Sequence, residues 1–248
     1  MIRRTVDFPG FVHAVRLKRD AVPDFADYPF SIPAVRCLDT LELDPKITFL
    51  IGENGAGKST LIEAIAVAAG FNAEGGTRNF HFATRRSESD LYRHLRLIRT
   101  ARRLTGFFLR AESLFNVATQ IDDLGVGDAY GGTSLHEQSH GESFLAVANH
   151  RFRGNGFYLQ DEPEAALSPQ RQLTLLALIH DLAEHRGSQF VIATHSPILM
   201  AYPGALLYQL DAAGIAPVRY HDTEHYRITR GFLADPERFF KHLFTDRE

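Results

Sequence analysis

Nine consecutive residues limit what this chain can fold into more than anything else in it. They are Gly52, Glu53, Asn54, Gly55, Ala56, Gly57, Lys58, Ser59 and Thr60. The run fits the spacing G-x-x-x-x-G-K-[ST] without a mismatch. It follows a short apolar stretch, residues 47–51 (ITFLI), and precedes a helical stretch, residues 58–70, closed by Gly70. A buried strand, a glycine turn and a helix in that order make an anion cradle. Gly55 and Gly57 let the backbone curl until successive N–H groups point inward. The helix start adds free N–H groups and the positive end of its dipole. In such a cradle Lys58 neutralises the β- and γ-phosphates of a nucleotide, Ser59 ligates Mg²⁺ and Thr60 reaches the α-phosphate.

The rest of the chain reads as alternating strands and helices. Short apolar runs at 106–109, 156–160 and 189–193 are strand candidates, with helices at 141–150 and 168–185. This alternation implies an α/β fold with a mainly parallel sheet. Residues 11–18 and 34–43 alternate as strands and suggest an antiparallel edge. Leu91, Leu95, Ile98 and Ala101 or Leu104 recur at helical spacing, so a helix is expected over 89–104. A hairpin over 206–219 and two amphipathic helices follow.

Two polar groups close apolar strands. GFYLQ runs into Asp161 and Glu162. A phosphate loop needs a carboxylate on a neighbouring strand end to hold Mg²⁺, and Asp161 has that place. Glu162 is positioned to polarise an attacking water. The run VIAT ends at His195, 34 residues after Asp161, or one strand–helix–strand unit later. His195 there can donate a hydrogen bond to a γ-phosphate.

SLHEQSHGESF, residues 134–144, supports two incompatible readings. His136-Glu137-x-x-His140 matches a zinc-protease pattern, which needs both histidines one turn apart on a continuous helix. Gly141 is a poor helix-interior residue. If the helix instead begins near Ser139–Gly141, Ser139 is its N-cap and Glu142 favours its first turn. The metal pair is then never formed. A small-molecule kinase shares the phosphate loop but does not require the other motifs.

Together GENGAGKST, SHGES, LQDEPEAALSP and ATHSP resemble an ATP-binding-cassette (ABC) ATPase, over about residues 11–210. DEPE, SHGESF and the HYRITRGFL segment look closer to stand-alone soluble ATPases of the AAA/ABC-like P-loop group, kin of DNA-repair and defence ATPases, than to transporter cassettes. The resemblance implies a P-loop NTPase with a mainly parallel central sheet, an antiparallel β edge subdomain and a small helical signature subdomain. It implies one domain over 1–248, with a helical signature part at about 78–150 and a C-terminal helical extension at about 212–248. It makes Gly52–Thr60 and Lys58 the ATP-binding loop, Ser59 and Asp161 the Mg²⁺ ligands, Glu162 the catalytic base and His195 the switch histidine. Residues 166–168 become the D-loop, and Ser139 and Gly141 the signature that touches ATP held by a second subunit. The implied assembly is a head-to-tail homodimer formed on ATP binding, which switches a partner protein or nucleic acid. The alternative is the nucleotide-binding subunit of an ABC transporter. Arg110, with Glu112 nearby, stands where a transporter cassette carries a glutamine, which weakens that alternative. The separation of 81 residues from Lys58 to Ser139 leaves no room for long coiled-coil arms. The family often stacks adenine on an aromatic, here Tyr28 or Phe30; either also fits ordinary packing.

Net charge is −3, so any polyanion contact is local. Segment 78–110 carries nine arginines against Glu88 and Asp90. It reads as a polyanion or acidic-partner surface, or as a solvated helix face. A single cysteine, Cys37, excludes an intrachain disulfide. No secretory h-region or membrane-length apolar run is present, so a cytoplasmic protein without membrane insertion is expected.

Overall fold

Strand residues buried on both faces need cover on both sides, and the chain supplies it with helices and a second sheet. The computed structural model describes residues 8–76, 89–102, 105–123 and 135–244. The central sheet has six strands: β3 (Ile47–Ile51), β5 (Thr105–Arg110), β6 (Gly156–Asp161), β7 (Gln189–Ala193), β8 (Leu206–Asp211) and β9 (Gly214–Pro217). Their order is β5-β6-β7-β3-β8-β9, parallel except for the terminal β8–β9 hairpin. All five residues of β3 and all six of β6 are buried, as expected for a covered parallel sheet.

The two faces separate by strand alternation. Phe49, Phe107, Leu109, Tyr158, Phe190 and Ile192 face α5 (His140–Arg151) and α6 (Pro169–His180). Leu50, Phe108, Phe157, Leu159 and Val191 face α2 (Lys58–Ala68) and a three-stranded sheet. That smaller sheet orders β2 (Thr40–Glu42), β1 (Val12–Leu17) and β4 (Leu95–Arg99), all antiparallel. α7 (Glu224–Ala234) and α8 (Pro236–Leu243) end the described chain.

One buried glutamine joins the sheets. Gln189 Oε1 accepts from Phe11 N at 2.8 Å and Val12 N at 3.0 Å; its Nε2 donates to Val12 O at 2.8 Å and Asp44 O at 2.9 Å. Gln189→Leu keeps the volume but strands these four backbone groups. Urea unfolding is expected to show a loss of about 2 kcal/mol, set by the cost of buried unsatisfied polar groups.

Two expectations need correction. Residues 34–43 are not one strand: α1 (Pro33–Arg36) precedes β2, because Pro33 presets a helical φ at N1 and Ala34 and Val35 are fully buried in that turn. The described residues of 89–104 do not form one helix. α3 spans only Leu91–His94, and the chain then extends as β4 against β1. Leu95, Leu97 and Ile98 satisfy both periods, and the open edge of β1 supplies the hydrogen bonds that decide it. Arg96 and Arg99 therefore lie on an edge strand, and Arg96 sits opposite Arg16. Arg78, Arg85, Arg86 and Arg103 lie outside the described residues. Within the 78–150 stretch, β4 and β5 belong to the two sheets; the described helices beyond α3 are α4 (Leu114–Asp123) and α5.

Candidate nucleotide site

Register brings the motifs to one level. Arg110 pairs with Asp161 across β5–β6, Asp161 with Ala193 across β6–β7, and Leu50 with Ala193 across β3–β7. The loop after β3, the acids after β6 and His195 after β7 thus share the carboxyl edge of the sheet, where open α/β sheets bind ligands.

The loop needs its glycines. Gly52 has φ 149°, and an added Cβ would come within 2.2 Å of Leu210 O. Gly57 has φ 95° and is the left-handed N-cap of α2. No described side chain caps that helix start, so its first-turn N–H groups face the loop. Lys58, 3% exposed, donates Nζ to Gly52 O at 2.8 Å and Glu53 O at 3.1 Å. Burial pulls its pKa below the usual lysine value, against the surrounding carboxylates of Glu162, Asp161, Glu164 and Glu53. Asn54 and Glu53 are exposed at the loop tip.

Ser59 Oγ donates to Asp161 Oδ1 at 3.1 Å. Ser59, Asp161, Glu162, Glu112 and His140 line one cavity of about 220 Å³. A hydroxyl and a buried carboxylate are hard oxygen donors, a set that fits Mg²⁺. Burial pushes the Asp161 carboxyl up from 3.8 to about 6, although the Arg110 guanidinium and the Ser59 hydroxyl pull it down. Arg110 Nε lies 3.4 Å from Asp161 Oδ2, and Arg110 Nη1 donates to Glu63 Oε2 at 2.7 Å. Sequence reasoning noted Arg110 as a substitute for glutamine and as one of the nine arginines of segment 78–110. Its partnership with Glu63, an acid of α2, left no trace in the pattern.

The raised pKa has a consequence for stability. The fold holds the Asp161 proton more tightly than the unfolded chain does. That preference stabilises the nucleotide-free fold fully below about pH 4 and is lost as pH rises through about 6. At pH 7 the ionised carboxyl costs about 3 kcal/mol, from two pKa units at 1.36 kcal/mol each. Asp161→Asn lacks this slope. The stability of wild type relative to Asp161→Asn should therefore fall by about 3 kcal/mol between pH 4 and pH 7, read by denaturant titration at several pH values. A flat difference would remove the assigned shift.

Glu162 takes a left-handed backbone (φ 49°, ψ 53°), pinned by Glu162 N donating to Ala193 O at 2.9 Å. The turn brings Glu162 Oε1 to 3.3 Å from His195 Nε2 and 4.0 Å from Lys58 Nζ. The His195 backbone N–H donates to Glu164. His195 Nδ1 meets His225 Nε2 of α7 at 3.2 Å, a neighbour that sequence reasoning missed. Tyr28 is 68% exposed, and its hydroxyl lies 3.4 Å from Thr60 Oγ1; Phe30 is buried in the core.

Residues 135–144 follow the second of the two readings. A 3₁₀ turn ends at Glu137 and α5 begins at His140. Ser139 and Glu142 form a capping box, and Ser139 N donates to Glu142 Oε2 at 3.0 Å. His136 packs edge-on against Phe115, while His140 lines the cavity beside Asp161. Arg171 donates to Ser139 Oγ at 3.1 Å and Glu142 Oε1 at 3.0 Å, and its own N–H reaches Ser168 Oγ at 3.4 Å. A Cβ on Gly141 would meet Arg171 Nη1 at 2.6 Å and Ala166 O at 2.9 Å. Packing against residues 166–171 thus gives Gly141 a reason within its own chain.

The chain is similar to known proteins. A family model described as an AAA domain matches residues 31–108. Another, described as "AAA domain, putative AbiEii toxin, Type IV TA system", matches residues 126–201. The thiamine import ATP-binding protein ThiQ of Haemophilus influenzae is 30% identical over 166 residues, covering 60% of this chain and 75% of that protein. ThiQ of Cereibacter sphaeroides is 33% identical over 173 residues, covering 60% of this chain and 70% of that protein. Among solved structures, the SMC head domain from Thermotoga maritima aligns with a TM-score of 0.47 at 15% identity, over 84% of this chain and 99% of that one. With ThiQ sequences matched over most of their length, and the glycine loop, Asp161-Glu162 and His195 gathered on one sheet edge, the chain belongs to the ATP-binding-cassette family of P-loop ATPases.

Proposed function

We propose that this ATPase hydrolyses ATP to ADP and phosphate at the carboxyl edge of its sheet, between two copies of the chain arranged head to tail. One observation carries the reading. The left-handed turn at Glu162 places its carboxylate between His195 and Lys58. Lys58 and the N–H groups of residues 52–60 bind the phosphates, and Tyr28 stacks on the base. Glu162 accepts a proton from the attacking water, and His195 holds its Nε2 proton toward the phosphate. Ser59 and Asp161 would hold Mg²⁺, which supplies charge neutralisation at the phosphates when bound.

Ser139 and Gly141 are proposed to meet the nucleotide of the second subunit. Arg171 ties them to Ser168, so the 139–142 and 166–168 turns present one surface. ATP closes the pair and hydrolysis opens it, which shifts the population of a bound partner's states. The edge-strand arginines Arg96 and Arg99 offer positive charge to an acidic partner or a nucleic acid. No described helix is long and apolar enough to cross a membrane.

The test is phosphate release from ATP–Mg²⁺ together with size-exclusion chromatography in ADP and in a non-hydrolysable ATP analogue. Release with an analogue-dependent dimer supports the reading; release from a persistent monomer removes the sandwich. The named relatives favour a second reading, a transporter's nucleotide-binding subunit. A membrane protein co-purifying from native cells would support it; Arg110 in place of the coupling glutamine argues against it.

A further inference from the structure

His195 has a second neighbour that the motifs do not account for. Thr223, 1% exposed, caps α7: its Oγ1 accepts from Tyr226 N at 3.2 Å and donates to Tyr220 O at 2.8 Å. It also reaches Met200 Sδ at 3.8 Å, which ties the helix start to the chain that follows His195. His225, two residues on, is thereby fixed with its side chain 12% exposed. Its Nε2 sits 3.2 Å from His195 Nδ1 and 3.9 Å from Glu53 Oε1. His195 Nε2, on the far side of the ring, is 3.3 Å from Glu162 Oε1.

Proton counting constrains this row. A neutral imidazole has one N–H and one acceptor nitrogen. An ionised Glu162 is acceptor-only, and its charge 3.3 Å away favours an N–H over a lone pair at His195 Nε2, although the approach falls short of a hydrogen bond. His195 Nδ1 is then an acceptor, and the hydrogen bond between the rings must come from His225 Nε2–H. His225 Nδ1 is left bare, and that atom, like His195 Nε2, is buried without a hydrogen-bond partner among the described residues. Burial, and then the neighbouring His195, lower the pKa of His225, which favours the neutral ring this arrangement needs.

We propose that His225 is a positioning residue: it donates Nε2–H to His195 Nδ1 and so holds the His195 proton on Nε2, facing Glu162. The inference rests on the proposed role of His195 for its catalytic consequence, but not for the tautomer itself. The orienting logic is that of a base held by a third group. His225 lies beyond both matched family segments, which end at residues 108 and 201.

The test uses the full-length protein labelled with ¹⁵N-histidine and read without nucleotide. Wild-type His195 is expected in the Nε2–H tautomer. His225→Ala should give a mixture of tautomers and lower kcat by roughly 10-fold, with the ATP KM nearly unchanged. His225→Gln keeps an N–H donor and should restore both the tautomer and most of kcat. His225→Asn is too short to span the gap and serves as the loss-of-contact variant if the alanine protein does not fold. An unchanged His195 tautomer in His225→Ala or His225→Asn overturns the proposal, as does a glutamine variant no better than alanine. If the wild type releases no phosphate but the tautomer still shifts, the positioning stands and the hydrolytic reading fails. If Glu162 is essential and His225→Ala changes nothing, the reverse holds.

Discussion

Glu162→Gln is expected to lower ATP turnover by roughly 10²- to 10⁴-fold, the range for removing a general base, while ATP binding persists. Glutamine keeps the shape and the left-handed turn at this residue but cannot take a proton. The proposed role has geometric support: the carboxylate lies 3.3 Å from His195 and 4.0 Å from Lys58 and is 37% exposed, so that a water can reach it. Glutamine also removes a negative charge from beside the phosphates, so the nucleotide-closed state gains. In saturating ATP–Mg²⁺ the variant should elute as a dimer during size-exclusion chromatography, and in ADP as a monomer. Near-normal turnover would remove Glu162 as the base. A monomer under saturating ATP–Mg²⁺ would remove the sandwich and leave the base untouched.

The parts of the site that were legible in sequence are those whose chemistry is local. ITFLI, the glycines and Lys58 specify strand, turn and helix within a few residues, and the structure places them so. Asp161 and Glu162 were legible because a fully buried strand leads straight into them. The small sheet was less so. Leu95-Arg96-Leu97-Ile98 fits both a helical and an extended period, and only the distant edge of β1 decides between them. Other features depend on residues far apart in the chain. Arg110 reaches Glu63 and Asp161 through the register of β5 on β6, and His225 reaches His195 through a helix that starts after the hairpin. No local pattern encodes such meetings. The left-handed backbone of Glu162 is of the same kind, since its N–H is taken by Ala193 of the neighbouring strand.

Lys58→Met should weaken ATP binding by roughly 10²- to 10³-fold, because it deletes charge-assisted hydrogen bonds to phosphate worth about 1.5–3 kcal/mol each. Methionine retains most of the buried stem, so lost packing does not explain the effect. The free energy involved is visible in the nucleotide-free site. The Lys58 side chain is 3% exposed, its pKa is drawn down by burial, and two loop carbonyls accept its hydrogen bonds. A desolvated ammonium hydrogen-bonded to neutral carbonyls, with the Glu162 carboxylate 4.0 Å away, gains much from a phosphate anion, since the cost of leaving water has already been met by folding. The same reasoning gives the variant's stability a sign. Removing a buried charge relieves desolvation but leaves Gly52 O and Glu53 O without this donor, so the two terms oppose and the melting temperature should move little. Isothermal titration with ATP, beside thermal unfolding without nucleotide, separates the outcomes. Weak binding with an intact fold assigns the lysine to phosphate recognition. Unchanged affinity would mean that the glycine loop, with its helix start, holds the anion by backbone N–H groups alone.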